Sequence, residues 1–207
     1  MAAYIIVAII AYLIGSVNFS ILISKKMAGF DVREKGSGNA GTTNMLRSVG
    51  KKAAAITLIC DILKGVVSIV IAIIVGNIVK NLDRELLLQI AGIAVVIGHT
   101  FPIFFGFKGG KGVATSLGVL LVMNPLIGGI CLVFALVVMA LTRMVSLGSI
   151  MAAILFPVLT IFITDSYIAD GYNYIIFGIA MAVLVIFNHR SNIKRLYNGQ
   201  ENKLSFK

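Results

Sequence analysis

Long apolar segments separated by short polar loops constrain the fold of this chain more than any other feature. Several reach 18 residues or more, which is enough for a helix to cross the ~30 Å hydrocarbon core of a bilayer. Charged residues make up 13% of the 207 residues, against about 25% in a soluble domain. The sequence therefore predicts an all-α membrane protein of one domain, residues 1–207, because no linker interrupts the series. The predicted spans are residues 4–23, 53–75, 86–105, 113–123, 126–141, 147–164 and 174–187.

The number of membrane crossings depends on how residues 113–141 are divided. If residues 113–123 and 126–141 cross separately, there are seven transmembrane helices, and 15 of the 18 Lys and Arg residues lie on one side, as the positive-inside rule requires of the cytoplasm. A single crossing would put the five cations of the C-terminal tail on the opposite side. We therefore predict seven helices with the N-terminus outside and the C-terminus inside.

This topology places the polar, glycine-rich segments on the cytoplasmic face, where we expect the active site. Residues 113–123 form only about 16 Å of helix, so the loop before them is expected to dip below the membrane surface, where protein or water must surround it. The net charge of +10 is accounted for by the cytoplasmic loops, and no nucleic-acid partner is predicted. Cys60 and Cys131 lie in apolar segments and are predicted to be packing residues.

The segment at residues 106–115 reads G-F-K-G-G-K-G-V-A-T. Glycine allows close backbone approach to a ligand, and a helix N-terminus presents amide donors and a partial positive charge. The pattern predicts a phosphate-binding loop formed by Gly109, Gly110, Lys111 and Gly112. It lacks the spacing of a Walker A motif, so it does not indicate an ATPase. A flexible basic membrane loop is the alternative interpretation.

The loop after the first span is a second group of hydrogen-bond donors. It contains K-G-S-G-N-A-G-T-T-N at residues 35–44 and a potentially bidentate guanidinium at Arg47. Its G-x-G-x-x-G spacing is not a dinucleotide fingerprint, because no strand precedes it. A solvated turn with Arg47 contacting lipid headgroups is the alternative. The candidate ligand-binding side chains are Ser37, Asn39, Thr43, Asn44 and Arg47.

The tail reads H-R-S-N-I-K-R-L-Y-N-G at residues 189–199. A helix here would place His189 and Asn192 on one face and would end at Gly199. The rest of this helix is typical of an interfacial amphipathic segment. His189, Asn192 and Ser146, which lies in the turn before the sixth span, complete the set of candidate site residues.

Two further polar features are predicted to be structural. Asp61 and Lys64 lie on one stripe of the second span, and we expect them to form an ion pair that supports the loops above it. His99, near the end of the third span, is expected to be a hydrogen-bonded structural residue. No G-x-S-x-G elbow, H-E-x-x-H motif or zinc-ligand spacing is present in the sequence, so no covalent nucleophile, metal or cofactor is predicted.

The segments at residues 37–44 with Arg47, 106–115 and 189–199 resemble, in this order, the three cytoplasmic motifs of the bacterial membrane acyl-phosphate:glycerol-3-phosphate acyltransferases. D-I-L-K-G at residues 61–65 and Val145-Ser146 are similar to that family too. The resemblance implies seven helices in the bacterial cell membrane and the first acylation of phospholipid synthesis. Acyl phosphate would acylate the 1-hydroxyl of glycerol 3-phosphate, giving 1-acylglycerol 3-phosphate and phosphate. It also implies a functional link to the enzyme that makes acyl phosphate.

The matched motif positions suggest roles for the candidate residues. Ser37, Arg47 and Lys111 would hold phosphate with help from the Gly109 and Gly110 backbone. The glycerol-phosphate pocket would be completed by Ser146, His189 and Asn192. The proton acceptor is either His189 or a phosphate oxygen of the donor. Two other classes use similar residues: a transporter of an organic phosphate anion, and a scaffold that binds lipid headgroups.

Overall fold

The computed structural model describes residues 1–163 and 172–204, and within these ranges the secondary structure is helical, with no β-strand. The prediction of an all-α protein is therefore confirmed. The chain divides into two compact units, Met1–Val122 and Met123–Lys207. The predicted loop at residues 165–173 lies, up to residue 171, outside the described residues.

Five helical segments in the described ranges are long and apolar enough to cross a membrane. They are Ala2–Ala28, Lys51–Ile78, Arg84–Phe105, Pro125–Thr142 and Val145–Phe162. A sixth candidate is the pair Tyr174–Asn188 and Arg190–Tyr197, which is bent by 65°. Val113–Met123 is apolar but shorter, so the seven-span count stays a prediction.

The first unit contains six α-helices in its described residues. They are α1 (Ala2–Ser16), α2 (Phe19–Ala28), α3 (Thr42–Ser48), α4 (Lys51–Ile78), α5 (Arg84–Thr100) and α6 (Val113–Met123, whose last residue begins the second unit). The predicted single span at residues 4–23 is broken at Val17 and Asn18, where the Asn18 side chain accepts a hydrogen bond from the Ile21 amide at 3.2 Å and caps α2. The predicted loop at residues 24–52 likewise contains the end of α2, a 3₁₀ turn at Val32–Glu34, and all of α3.

Glycines without room for a Cβ bring the helices of this unit close together. A Cβ on Gly15 of α1 would overlap the Val95 carbonyl of α5, and one on Gly98 would overlap the Tyr12 carbonyl of α1. Likewise, a Cβ on Gly118 of α6 would overlap the Ile62 carbonyl of α4. These contacts fix the ends of α5 and α6 between which the glycine-rich loop runs.

Asp61, Lys64 and His99 form a buried polar cluster, each side chain less than 5% exposed. Lys64 Nζ lies 3.0 Å from Asp61 Oδ1, which confirms the predicted ion pair. The same ammonium donates to the carbonyl oxygens of Gly15 and Val17 at 3.1 Å each, so it stabilises the break between α1 and α2. His99 Nδ1 lies 3.5 Å from Asp61 Oδ1, which joins α5 to the cluster.

The second unit contains four described α-helices, α7 (Pro125–Thr142), α8 (Val145–Phe162), α9 (Tyr172–Asn188) and α10 (Arg190–Tyr197). Asn124 caps α7 by accepting from the Ile127 amide at 3.0 Å, as expected of the Asn-Pro break. The turn between α7 and α8 is shorter than predicted. Arg143 takes a left-handed conformation (φ 61°) and α8 begins at Val145, so Ser146 lies in the first turn of a helix.

Candidate active site

Asn44 organises the loop that precedes α3. This side chain is 2% exposed. Its amide nitrogen donates to the carbonyl oxygens of Val32 and Lys35 at 2.9 and 3.0 Å, and its amide oxygen accepts from the Ser37 amide at 2.8 Å. These bonds use the amide group that was predicted to bind substrate, so Asn44 holds Ser37 in place within the loop.

The other candidates of this loop are more accessible. Ser37 and Arg47 are exposed, and Asn39 and Thr43 are half-buried. Gly36 and Gly38 have positive φ values of 61° and 71°. At Gly36 a side chain would also overlap Asn44 Oδ1, so the glycine before Ser37 is required by the packing of the loop.

The glycine-rich loop, residues 106–112, packs on the last turn of α5. The Gly109 amide donates to the Thr100 carbonyl at 3.0 Å, and the Gly110 amide donates to the His99 carbonyl at 3.1 Å. Both amides are therefore already hydrogen-bonded to α5 in this structure, and their phosphate-binding role stays a prediction. The two glycines are needed because a Cβ at either position would overlap atoms of His99.

The two predicted donor loops lie against each other. A Cβ on Gly110 would meet the imidazole of His99 and would lie 2.9 Å from the Ala40 carbonyl oxygen. Ala40 is buried, four residues before Asn44. The structure therefore brings the loop that carries Ser37 and the loop that carries Lys111 into contact within the first unit.

Lys111 and Gly112 lead into the N-terminus of α6. Lys111 is half-buried, and Gly112 is buried with φ 86°. Ser116, in the first turn of α6, has a buried hydroxyl that finds no hydrogen-bond partner among the described residues. The first amides of a helix have no intrahelical acceptor, so the start of α6 combines backbone donors, a hydroxyl and the Lys111 ammonium.

Arg33 connects these two loops, and sequence reasoning did not identify it. Its Nε and Nη2 donate to Asp31 Oδ1 and Oδ2 at 3.0 and 2.8 Å. Its Nη1 donates to the carbonyl oxygens of Phe105 at 2.7 Å and of Lys108 at 3.1 Å. The Arg33 hydrogen bonds hold the pKa of the Asp31 carboxyl below its usual range, and the carboxylate raises the pKa of Arg33 in return. The ion pair therefore contributes to stability at neutral pH, and this contribution is lost as the pH falls through the lowered pKa of Asp31.

His189 lies at the junction of α9 and α10 in the second unit and is 3% exposed. Its Nδ1 is 2.8 Å from the Val185 carbonyl oxygen. A carbonyl only accepts, so Nδ1 carries the proton of the neutral ring and Nε2 carries the lone pair. This tautomer is the one in which Nε2 can act as a base.

Asn192 and the turn that precedes Ser146 are hydrogen-bonded to the C-terminal segment. Asn192 Nδ2 donates to Glu201 Oε1 at 2.8 Å, and Arg195 Nε donates to Glu201 Oε2 at 3.0 Å. The Leu204 amide donates to the Arg143 carbonyl at 2.7 Å, three residues before Ser146. The Ser146 hydroxyl is buried and finds no hydrogen-bond partner among the described residues.

Glu201 and Arg33 are the two residues of these loops that the sequence analysis missed. Their acid–base partners lie close in sequence: Asp31 is two residues from Arg33 and Arg195 is six residues from Glu201. That spacing was a usable signal for an ion pair. No sequence signal indicated the contacts of Arg33 with carbonyls more than 70 residues away.

Among residues 1–163 and 172–204, no group of three or more His, Cys, Asp and Glu side chains is placed to hold a metal ion. The fold and these loops define an all-helical integral-membrane protein with cationic, glycine-rich and hydroxyl-bearing loops suited to phosphate groups.

Comparison with known proteins identifies the family. The model of the glycerol-3-phosphate acyltransferase family matches residues 5–199. Glycerol-3-phosphate acyltransferase of Clostridioides difficile (strain 630) is 44% identical over 205 residues, covering 99% of this chain and 97% of that protein. The enzyme of the same name from Thermoanaerobacter sp. (strain X514) is 46% identical over 203 residues, covering 98% and 96%.

Solved structures agree with the family match. One is a crystal structure of PlsY, an integral membrane glycerol 3-phosphate acyltransferase, in its glycerol 3-phosphate form. It has a TM-score of 0.87 and 37% identity, over 98% of this chain and 96% of that one. The lysophosphatidic acid form of PlsY has a TM-score of 0.84 and 36% identity, over 98% and 95%. The chain therefore belongs to the glycerol-3-phosphate acyltransferase family and is an integral-membrane enzyme.

Proposed function

We propose that this protein transfers an acyl group from acyl phosphate to the 1-hydroxyl of sn-glycerol 3-phosphate. The products are 1-acylglycerol 3-phosphate and inorganic phosphate. The observation that carries the proposal is the full-length similarity to PlsY in its glycerol 3-phosphate and lysophosphatidic acid forms, since these ligands are the acceptor and the product of this reaction.

The reaction requires the two substrates to be positioned correctly, and it does not require a nucleophile from the protein. The 1-hydroxyl oxygen attacks the acyl carbonyl carbon, the bond from that carbon to the phosphate oxygen breaks, and phosphate leaves with the electron pair. Because acyl phosphate is already activated, orientation of the two substrates supplies about 7–11 kcal/mol of the barrier reduction. Cations and amide donors stabilise the developing oxyanion and the leaving phosphate.

In this proposal Ser37, Arg47 and Lys111 bind phosphate. Support comes from the contact between the two loops that carry Ser37 and Lys111, and from the position of Lys111 at the start of α6. Asn39 and Thr43 are the accessible polar side chains beside Ser37. Asn44 and the Gly109 and Gly110 amides act indirectly, because their hydrogen bonds shape the loops.

Ser146, His189 and Asn192 bind the glycerol-phosphate portion of the acceptor. The buried Ser146 hydroxyl supports this role because a buried polar atom requires a hydrogen-bond partner. The proton of the 1-hydroxyl goes either to His189 Nε2 or to an oxygen of the donor phosphate. The tautomer inferred from the contact between His189 Nδ1 and the Val185 carbonyl is compatible with the first route.

We further propose that the chain crosses a bacterial cell membrane seven times, with the N-terminus outside and the reaction on the cytoplasmic face. An enzyme that forms acyl phosphate must supply the donor. The acyl tail of the donor and that of the product explain why the reaction is carried out by a membrane protein.

The test uses purified protein in detergent with palmitoyl phosphate and glycerol 3-phosphate, without CoA or metal. We expect phosphate release that depends on glycerol 3-phosphate and equals the lysophosphatidic acid formed. Release that is identical without the acceptor, or no release by folded protein, would contradict the proposal. Uptake of glycerol 3-phosphate by sealed vesicles without acyl transfer would instead support the transporter.

A further inference from the structure

Arg33 lies outside the two motif segments at residues 37–44 and 106–115, and its side chain is hydrogen-bonded to the backbone of the glycine-rich loop and the residue before it. Its guanidinium donates four hydrogen bonds, two to Asp31 and one each to the carbonyls of Phe105 and Lys108. The two carbonyls bracket a turn in which Gly106 and Phe107 both have positive φ, at 67° and 58°. A left-handed conformation is uncommon for a bulky residue such as Phe107, so the turn requires contacts that hold it.

Asp31 fixes the orientation of the Arg33 guanidinium. Both carboxylate oxygens accept from Arg33, and Oδ1 also accepts from the Arg33 backbone amide at 3.0 Å. Bidentate pairs of this kind are directional as well as strong. The side chains of Asp31 and Arg33 are 10% and 26% exposed, so the pair is largely shielded from water.

The contacts of Arg33 end where the phosphate-binding part of the loop begins. Lys108 directly precedes Gly109 and Gly110, whose amides bond to α5, and Lys111 follows. A displacement of the backbone of residues 105–108 would therefore shift Gly109 and Gly110 and, through them, Lys111 and the start of α6. The glycine contacts that pack α1 on α5 and α4 on α6 do not involve Arg33.

We propose that Arg33, held by Asp31, is a positioning residue that sets the affinity of the enzyme for glycerol 3-phosphate by fixing the glycine-rich loop. This rests on the proposed function, in which Lys111 binds a substrate phosphate, and it assigns that phosphate to glycerol 3-phosphate. A lysine can replace the guanidinium only in part, because a single ammonium lacks the planar fork that reaches Asp31 and two carbonyls at once.

The kinetic test compares Arg33→Gln, Arg33→Lys and Asp31→Asn with wild type at saturating palmitoyl phosphate. We expect the KM for glycerol 3-phosphate to rise about tenfold or more in Arg33→Gln, with a smaller fall in kcat and little change in the KM for palmitoyl phosphate. Arg33→Lys and Asp31→Asn should show intermediate increases. The double variant Asp31→Asn/Arg33→Gln should be no worse than Arg33→Gln, because the two residues act as one unit.

Lys25→Ala is the matched control. Lys25 is exposed and its Nζ lies 3.9 Å from Asp31 Oδ2, so it is a cation near the same carboxylate that makes no contact with the loop. We expect wild-type kinetics. Unchanged KM in Arg33→Gln, or equal falls in kcat and thermal stability with normal KM, would overturn the proposal.

A second measurement does not depend on the reaction. Hydrogen exchange in detergent should be faster in Arg33→Gln than in wild type at the amides of Phe107, Gly109 and Gly110, which donate to Pro102, Thr100 and His99. Exchange in α1 and α5 should be unchanged. Equal exchange at the three loop amides would overturn the positioning role even if acyl transfer were never observed. Wild-type protein without acyl transfer would instead contradict the proposed function.

Discussion

Four cations of the first unit have different surroundings. The Arg33 guanidinium is hydrogen-bonded to Asp31 and two carbonyls. Lys64 is buried beside Asp61, and Lys108 is exposed. Lys111 is half-buried at the start of α6. The position of each side chain relative to the two loops, and not its charge alone, therefore separates structural cations from those that can meet a phosphate.

Lys111→Ala should lower kcat/KM by about 10²–10³, as expected when one charged donor to a transition state is removed. The phosphate-release assay measures the loss, and a thermal melt close to that of wild type would show that the variant is folded. Lys108→Ala is the matched control, since Arg33 binds the carbonyl and not the ammonium of Lys108. Near-normal activity of Lys111→Ala would contradict the phosphate-binding role.

His189→Gln distinguishes the two routes for the proton. If Nε2 is the base, kcat should fall by about 10²–10⁴, and the loss of activity expected of wild type at low pH should be absent from the pH profile of the variant. If a phosphate oxygen of the donor takes the proton, the KM for glycerol 3-phosphate should rise while that acid limb persists. Unchanged kcat and KM would exclude both roles for His189.

The residue types of the candidate site could be predicted from the sequence, but their hydrogen bonds could not. Ser37, Lys111 and His189 were chosen because their chemistry suits phosphate or proton transfer. The Asn44 amide and the Gly109 and Gly110 amides were chosen for the same reason, yet the fold uses them internally. Their partners come from other parts of the chain, and no local pattern reports which donors a tertiary contact will satisfy.

At the scale of helices, the sequence predicted the extent of the apolar helices better than the positions of the breaks within them. Residues 113–123 form a helix with the predicted bounds, and the Asn124-Pro125 break is present. The break at Val17 and Asn18 was missed, although Gly15, Ser16 and Asn18 interrupt the apolar segment at this point. Its stabilising contact is the Lys64 ammonium, which bonds the carbonyls of Gly15 and Val17 from another helix.

Gly118→Ala tests how closely α4 and α6 must approach. A Cβ at this position would overlap the Ile62 carbonyl oxygen, and backbone cannot move aside as a flexible side chain can. We expect a loss of about 1–3 kcal/mol of stability and lower activity, because α6 carries Lys111 at its start.

Gly129→Ala in α7 is the control for that change. No atom lies within 4 Å of the position its Cβ would take, so the higher helix propensity of alanine should leave stability equal or slightly increased. Thermal unfolding of both variants in the same detergent provides the comparison. Equal melting temperatures would show that the α4–α6 contact is not tightly packed.

At the scale of the whole molecule, the charge distribution and the helix lengths support different counts of crossings. The described residues contain five helices that are long enough, or six with the bent pair, whereas the positive-inside rule favours seven. The counts of six and seven differ in whether Val113–Met123 is included as a crossing. Its 11 residues can complete a crossing only if the glycine-rich loop before it begins below the membrane surface. That loop is hydrogen-bonded to α5 and to Arg33, which satisfies part of its backbone as such a position demands, although residues 106–108 are exposed.

The seven-crossing topology predicts that the two ends of the chain lie on opposite sides of the membrane. Single cysteines can be introduced by Ala2→Cys, Lys35→Cys, Asn81→Cys or Lys203→Cys, all at exposed positions, after both native cysteines have been replaced by alanine. A membrane-impermeant maleimide applied to intact cells should label the variants at positions 2 and 81. The variants at positions 35 and 203 should be labelled only after the cells are permeabilised. Because a single crossing by residues 113–141 would move the tail to the outside, labelling of the position 203 variant in intact cells would contradict seven crossings, and the position 35 variant serves as the internal control for cell integrity.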